Sequence, residues 1–336
     1  KVLGTESKFT SEDKLGDLEK EFFDKVEEEF RLTKIALEKE ESDLLFAYFS
    51  TTDGIQHDFW RHGDEKHPEY PGETRFKDTV KNMYIKMDGI IAEVGRICPN
   101  TPILVISDHG HGARPVYIAR VNEMLHREGF LAPKKNESAK ADGNGKSKVS
   151  LKGKLKKFVL TFVKKHGLPK WAVKLAKKFP IWKGLFASGR DFDWSNTVAY
   201  LSDLSALKNY SYGGIRIRQD IEDKDKLCDD IIEKLSRYTI EGEKDKPAFL
   251  WIRRTNTLYH GVYLNRYPEI IFQMDERYGA DWNLGEKLFE KQGFMHKLSP
   301  GAHRYETAVI AARGLALNKQ QYEMTDIAGL IQSQFE

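Results

Sequence analysis

Leu15, Leu18, Phe22, Val26 and Phe30 recur every three or four residues in a charged background, which predicts an amphipathic helix over residues 11–40. Thr10, Ser11, Glu12 and Asp13 provide a cap and an acidic first turn at its start. The run LLFAYF at 44–49 is short, aromatic-rich and bounded by polar residues, the pattern of a strand buried on both faces of a parallel sheet. PILVI at 102–106 repeats that pattern. Further along, residues 197–201, 213–217 and 249–252 read as strands, 226–238 as a helix and 323–335 as a closing helix. Helices alternating with apolar strands predict an α/β protein, in the form of a three-layer αβα sandwich. No repeat of solenoid or propeller period is present.

Polar residues with ligating chemistry follow two of the predicted strands. Open α/β sheets bind ligands beyond the carboxyl ends of their strands, so these positions carry weight. After residues 44–49 come Asp53 and His57, a carboxylate and an imidazole suited to a metal ion. Taken alone, the pair reads first as a helix cap and a histidine on a solvated helix face. After residues 102–106 comes SDHGHG, in which Asp108 and His109 are followed by glycines that let the backbone turn sharply around an ion. His303 lies in the turn SPGAHR, ahead of the apolar run 308–312. A lone loop histidine is usually incidental, and His303 gains weight from the two other clusters.

FSTTDGIQHDFW, ISDHGHG and SPGAHRYETAVIAARG, in that order, resemble the alkaline phosphatase superfamily, and within it the type I phosphodiesterase/nucleotide pyrophosphatase-like phosphohydrolases. FDWSNTVAY at 192–200, YHGVYLNRYPEIIF at 259–272 and MTDIAGLI at 324–331 extend the resemblance over most of the chain. It implies an alkaline phosphatase-like fold in which Asp53, His57 and His303 hold one metal ion and Asp108 and His109 contribute to a second. Mixed imidazole and carboxylate donors suit zinc, with manganese as the alternative. Two such ions, roughly 4 Å apart, screen phosphate charge and stabilise both the attacking and the leaving oxygen. The implied activity is hydrolysis of a phosphodiester, pyrophosphate or phosphomonoester bond in a small-molecule substrate. Sulfatase or phosphomutase chemistry is the alternative within the superfamily. A non-catalytic interaction module is the alternative outside it.

The family's Thr or Ser nucleophile and one further carboxylate ligand have no counterpart here, since Thr51 and Thr52 match neither position. Both are expected upstream of Lys1, so the chain reads as the later part of a longer enzyme and, by itself, as a poor hydrolase.

Charge and composition refine the picture. Between residues 134 and 183 there are 16 lysines against Glu137 and Asp142, in a chain whose net charge is only +3. Leu151, Leu155, Phe158, Val159, Phe162 and Val163 alternate with those lysines in a helical pattern. The expected division is therefore 1–133 and 191–336 as parts of one α/β core, with 134–190 inserted as a lysine-rich cap. Contact with an anionic membrane surface through residues 151–178 is the alternative use of that segment. No specific nucleic-acid binding is expected.

Cys98 and Cys228 have no metal-motif spacing and read as free thiols. With no spanning helix and no signal peptide in the sequence, a cytoplasmic or membrane-associated protein is expected. His111 is read as exposed rather than as a neighbour of the ligands. Asp58, His62 and His67 read as a polar surface run, Tyr84 and Asp88 as structural, and Trp60 and His260 as a packed aromatic and a loop histidine.

Overall fold

The computed structural model describes residues 14–39, 41–134, 192–202, 210–243, 245–291 and 299–335. Two compact units are present, residues 1–113 with 297–336 and residues 114–296. In chain order the described elements begin with α1 (Leu15–Lys39), α2 (Thr51–Gly63), α3 (Thr79–Ile97), β1 (Ile103–Ile106) and β2 (Gly110–Ala113). Next come β3 (Tyr117–Arg120), α4 (Val121–Arg127), β4 (Ala199–Leu201), β5 (Tyr212–Ile217), α5 (Lys224–Ser236) and β6 (Phe249–Arg254). The remainder are β7 (Ile270–Met274), β8 (Tyr278–Asp281), β9 (Phe289–Lys291), β10 (Gly301–Arg304), β11 (Ile310–Arg313) and α6 (Met324–Gln332). The fold is mixed α/β. Among the described residues no helix is long and apolar enough to cross a membrane. The predicted cap residues 10–13 and, Lys134 apart, the lysine-rich insertion lie outside the described residues.

The first unit is built on the stripe read from the sequence. Leu15, Leu18, Phe22 and Val26 on α1 are buried together with Ile55 and Phe59 of α2 and Met83 and Ile90 of α3. Phe30 is partly buried at the edge of the same cluster. The Phe22 and Phe59 rings meet edge-on, centroids 6.4 Å apart, the arrangement favoured by aromatic quadrupoles. Two antiparallel strand pairs complete the unit: β1 with β11, Ile103 facing Arg313, and β2 with β10, His111 facing His303. The predicted apolar run at 308–312 thus contributes to β11.

Residues 44–49 do not form the strand that their composition predicts. Leu44, Phe46 and Tyr48 are 54, 68 and 72% exposed, and no described segment pairs with them. Apolar character favours a strand only where a neighbour supplies the ladder and the covering surface. The expected parallel arrangement is also corrected, because among the described residues only β3 and β8 pair in parallel. An apolar run registers burial, and it reads the same whichever way its neighbour points.

In the second unit, β4, β5, β7 and β6 form a four-stranded antiparallel sheet in that order. Its inner face carries Ile215, Ile217, Phe272 and Met274, packed with Ile231 and Leu235 of α5. A three-stranded sheet of order β8-β3-β9 lies in the same unit. The strands predicted at 197–201, 213–217 and 249–252 correspond to β4, β5 and β6, and the helix predicted at 226–238 to α5.

Candidate metal centre

Three elements of the first unit converge on one point. Asp53 and His57 stand four residues apart on α2, a spacing that puts both side chains on one helical face. His303 lies on β10, and α2 packs directly against that strand. The approach depends on Gly301, because a Cβ there would be driven into the Gln56 carbonyl and the His57 backbone. The same closeness places the Gly301 carbonyl 2.9 Å from His57 Nδ1. A carbonyl only accepts, so Nδ1 carries a proton and Nε2 is the ring nitrogen that faces His303 and Asp53. Gly110 has a similar role at the start of β2, where a Cβ would collide with the Thr307 backbone.

The distances among the converging atoms are short enough for one ion to reach them all. His57 Nε2 lies 3.0 Å from His303 Nε2 and 3.4 Å from Asp53 Oδ1, and His303 Nε2 lies 3.1 Å from the same oxygen. Donors arranged tetrahedrally at bond lengths of ~2.0–2.1 Å are separated by roughly 3.3 Å, close to all three values. His111 on β2 is the fourth member, and one ligand atom from each of Asp53, His57, His111 and His303 falls within 4.8 Å of every other. Burial pushes the Asp53 carboxyl up. The hydrogen bond from His303 and the neighbouring imidazoles outweigh that effect and hold it at about 2. Burial, reinforced by His57, lowers the His111 imidazole to about 3, so this ring is neutral and able to donate a lone pair.

His111 corrects the sequence reading. It is 5% exposed and faces into the cluster, its ring centroid 4.6 Å from that of His57 and 5.3 Å from that of His303. The signal in the sequence was the alternation His109-Gly110-His111 at a strand start, beside a second histidine on the strand that pairs with it. Nothing local specified the register that sets His111 against His303.

Asp108 and His109 stand next to this cluster. The His109 ring stacks on His303 with centroids 3.6 Å apart, and its Nε2 lies 3.6 Å from Asp108 Oδ2. The Asp108 side chain is 69% exposed, open to an ion or a substrate arriving from solvent.

The run Asp58, His62 and His67, read as surface, is buried instead. His67 Nε2 meets the Pro300 carbonyl at 3.3 Å, and His62 Nδ1 lies 3.2 Å from Thr74 Oγ1 while its ring packs on Phe76. These polar positions of and beyond α2 are enclosed because the strand β10 and residues 67–76 lie against them. Trp60 donates to Asp64 at 3.0 Å, Tyr84 donates to Gln56 at 3.2 Å, and His260 is exposed. Cys98 and Cys228 are free thiols, and burial raises that of Cys228 to about 11.

The sequence model of the type I phosphodiesterase / nucleotide pyrophosphatase family matches residues 4–296. Among solved structures, phosphonoacetate hydrolase from Sinorhizobium meliloti 1021 in complex with phosphonoformate is similar at 9% identity and a TM-score of 0.34. That alignment covers 84% of this chain and 49% of the other, so the chain spans about half the length of that relative. No curated protein matched the chain in sequence.

Proposed function

Because this chain belongs to the type I phosphodiesterase/nucleotide pyrophosphatase family, a family of hydrolytic enzymes, we propose that it binds divalent metal and cleaves a phosphodiester or pyrophosphate bond in a small-molecule substrate. The observation that carries this reading is the convergence of Asp53, His57 and His303 at distances of 3.0 to 3.4 Å across 250 residues of chain. In it, those three side chains hold one ion, while Asp108 and His109 contribute to a second, zinc or manganese in each case. When bound, such ions screen the charge of a phosphate ester and stabilise its attacking and leaving oxygens. The three-layer αβα arrangement and the cap formed by residues 134–190 belong to the same proposal.

The residues themselves supply positioning. The carbonyl of Gly301 fixes the ring of His57, and the hydrogen bond from His303 orients the Asp53 carboxylate. Stacking on His303 holds His109, and the exposed Asp108 carboxylate stands on the side from which an anionic substrate approaches. Thr51 is fully buried and donates to Glu29 at 2.8 Å, and the Ser107 hydroxyl accepts from the Val309 N–H at 2.7 Å.

Equilibrium dialysis against zinc and manganese tests the reading, with turnover of a chromogenic phosphodiester, a phosphomonoester and a sulfate ester assayed in parallel. Metal bound by the wild type and lost in Asp53→Ala, together with metal-dependent turnover of the diester, is the expected outcome. A wild-type chain that takes up no metal at micromolar concentration would overturn it.

A further inference from the structure

Asp53 is more exposed than the two histidines it meets, its side chain 41% accessible, and its carboxylate is reached by a hydrogen bond from His303 at 3.1 Å. Its place therefore depends on the backbone that carries it, the first turn of α2. That turn closes weakly on its own. The Gly54 N–H meets the Ser50 carbonyl at 3.4 Å, long for a bond of this type. Ser50, at the cap position, already has helical dihedrals (φ −77°, ψ −12°), and its side chain makes no capping bond. A self-capping serine takes extended dihedrals and reaches over its own first turn instead.

The turn is held from α1. One carboxylate oxygen of Glu29 accepts from the Ser50 hydroxyl at 2.8 Å and from the Ser50 N–H at 3.3 Å, and the other accepts from the Thr51 hydroxyl at 2.8 Å. Lys25, one helical turn before Glu29, donates to the Ser50 hydroxyl at 2.7 Å and stands 3.7 Å from the same carboxylate. Both side chains are enclosed, at 10% and 9% exposure. Desolvation makes such a buried ion pair a poor source of stability, so its value here lies in the geometry it fixes. The carboxylate also faces the positive end of the α2 dipole. Beside it the Phe22 ring lies so close to Gly54 that a Cβ there would collide with it.

Resting on the metal-binding reading of this site, we infer that Lys25 and Glu29 are positioning residues, a buried clamp from α1 that fixes the first turn of α2 and so holds the Asp53 carboxylate in place for the ion. The clamp touches neither ion nor substrate. It acts at Ser50 and Thr51, just ahead of Asp53, while the Gly301 carbonyl acts on His57 one turn later. The two ligands offered by α2 are thus set from two directions, Asp53 from α1 and His57 from β10.

Cobalt(II) titration of the full chain, followed by visible absorption, tests this, because the spectrum reports the ligands around the ion as well as the affinity. Lys25→Met combined with Glu29→Met removes both charges together and strands neither in the interior. It should weaken cobalt binding about tenfold, the lower end of the 10–100-fold loss that follows removal of an outer-shell partner, and alter the spectrum of the metal-saturated protein. Glu29→Gln, which keeps the length and an acceptor for both hydroxyls, should recover most of the affinity and the wild-type spectrum. Glu28→Ala, at the exposed neighbouring carboxylate, should change neither. Should the methionine pair fail to fold, Glu29→Asp, which draws the carboxylate back from Ser50 and Thr51, is expected to show the same weakened binding and altered spectrum. Wild-type affinity and spectrum in the clamp variants, even with a lowered denaturant midpoint, would make the clamp purely structural and overturn the inference while leaving the metal site standing. Failure of the wild-type chain to take up cobalt would remove both.

Discussion

Asp275 in the second unit and Asp53 in the first are both carboxylates held at about 2, and their surroundings differ in kind. Asp275 is buried and saturated by protein cations, accepting from Arg277 Nε at 2.8 Å and pairing with Lys246 at 2.9 Å. Burial pushes its carboxyl up, and the bonds from Arg277 and Lys246 more than reverse that. Asp281, also buried, accepts from Asn283 at 2.9 Å. In the first unit, the partners of Asp53 are imidazoles rather than permanent cations, and they crowd toward one point with a fourth ring nitrogen left unsatisfied. At Asp275 the polar contacts of the second unit are saturated by protein groups. At Asp53 the first unit gathers ligand-type atoms within 4.8 Å of one another, an arrangement that could hold a cation.

The contrast between the units can be broken most sharply by a core mutation in the second. Phe272 on β7 is fully buried and meets Phe249 edge-on at 5.3 Å, so Phe272→Ala should destabilise that unit by about 3–5 kcal/mol in denaturant titration. Metal affinity at the cluster should stay unchanged under native conditions, because all four donors lie in the first unit. A parallel loss of affinity would show that the two units are not energetically separable.

Gly301→Ala should have the next largest effect, about 1–3 kcal/mol, since the added methyl overpacks the contact between α2 and β10. Unlike the Phe272 change, it should also weaken metal binding by displacing His57 from its carbonyl partner. Isothermal titration with zinc separates the two effects. Unaltered affinity would mean that the Gly301 contact does not position His57.

The smallest effect belongs to Asp275→Asn, about 1 kcal/mol once solvent screening around the well-exposed Arg277 is allowed for. Its sign follows from the native carboxyl lying at about 2, below its ordinary 3.8. The stabilisation is present above the unfolded value and is lost as pH falls through the native one. The gap between wild type and variant, measured by denaturant midpoints, should therefore be full near pH 6 and close between about pH 4 and pH 2. A gap that persists at about pH 2 would assign the effect to packing instead of charge.

Much of this was readable in the chain. The stripe from Leu15 to Val26 specified α1 and its buried face, because helical periodicity needs no partner to be visible. Asp53, His57 and His303 stood out as candidate ligands through their motifs, and the structure brings the three together. The run at 44–49 misled because apolar residues register a tendency to be covered, and no described segment covers them. His62 and His67 misled in the opposite direction, as polar side chains enclosed by later parts of the chain.

The sequence by itself determined which residue types stand at which spacing: the helical stripe, the carboxylate and imidazole four apart on α2, and the paired Asp108 and His109. Only the tertiary structure decided that β2 and β10 align antiparallel with His111 opposite His303, and that α2 closes on β10 at Gly301. Strand register and helix approach arise from contacts between segments that lie far apart along the chain. Shifting a strand by a single residue would turn His111 away from the cluster without altering any local pattern in the sequence.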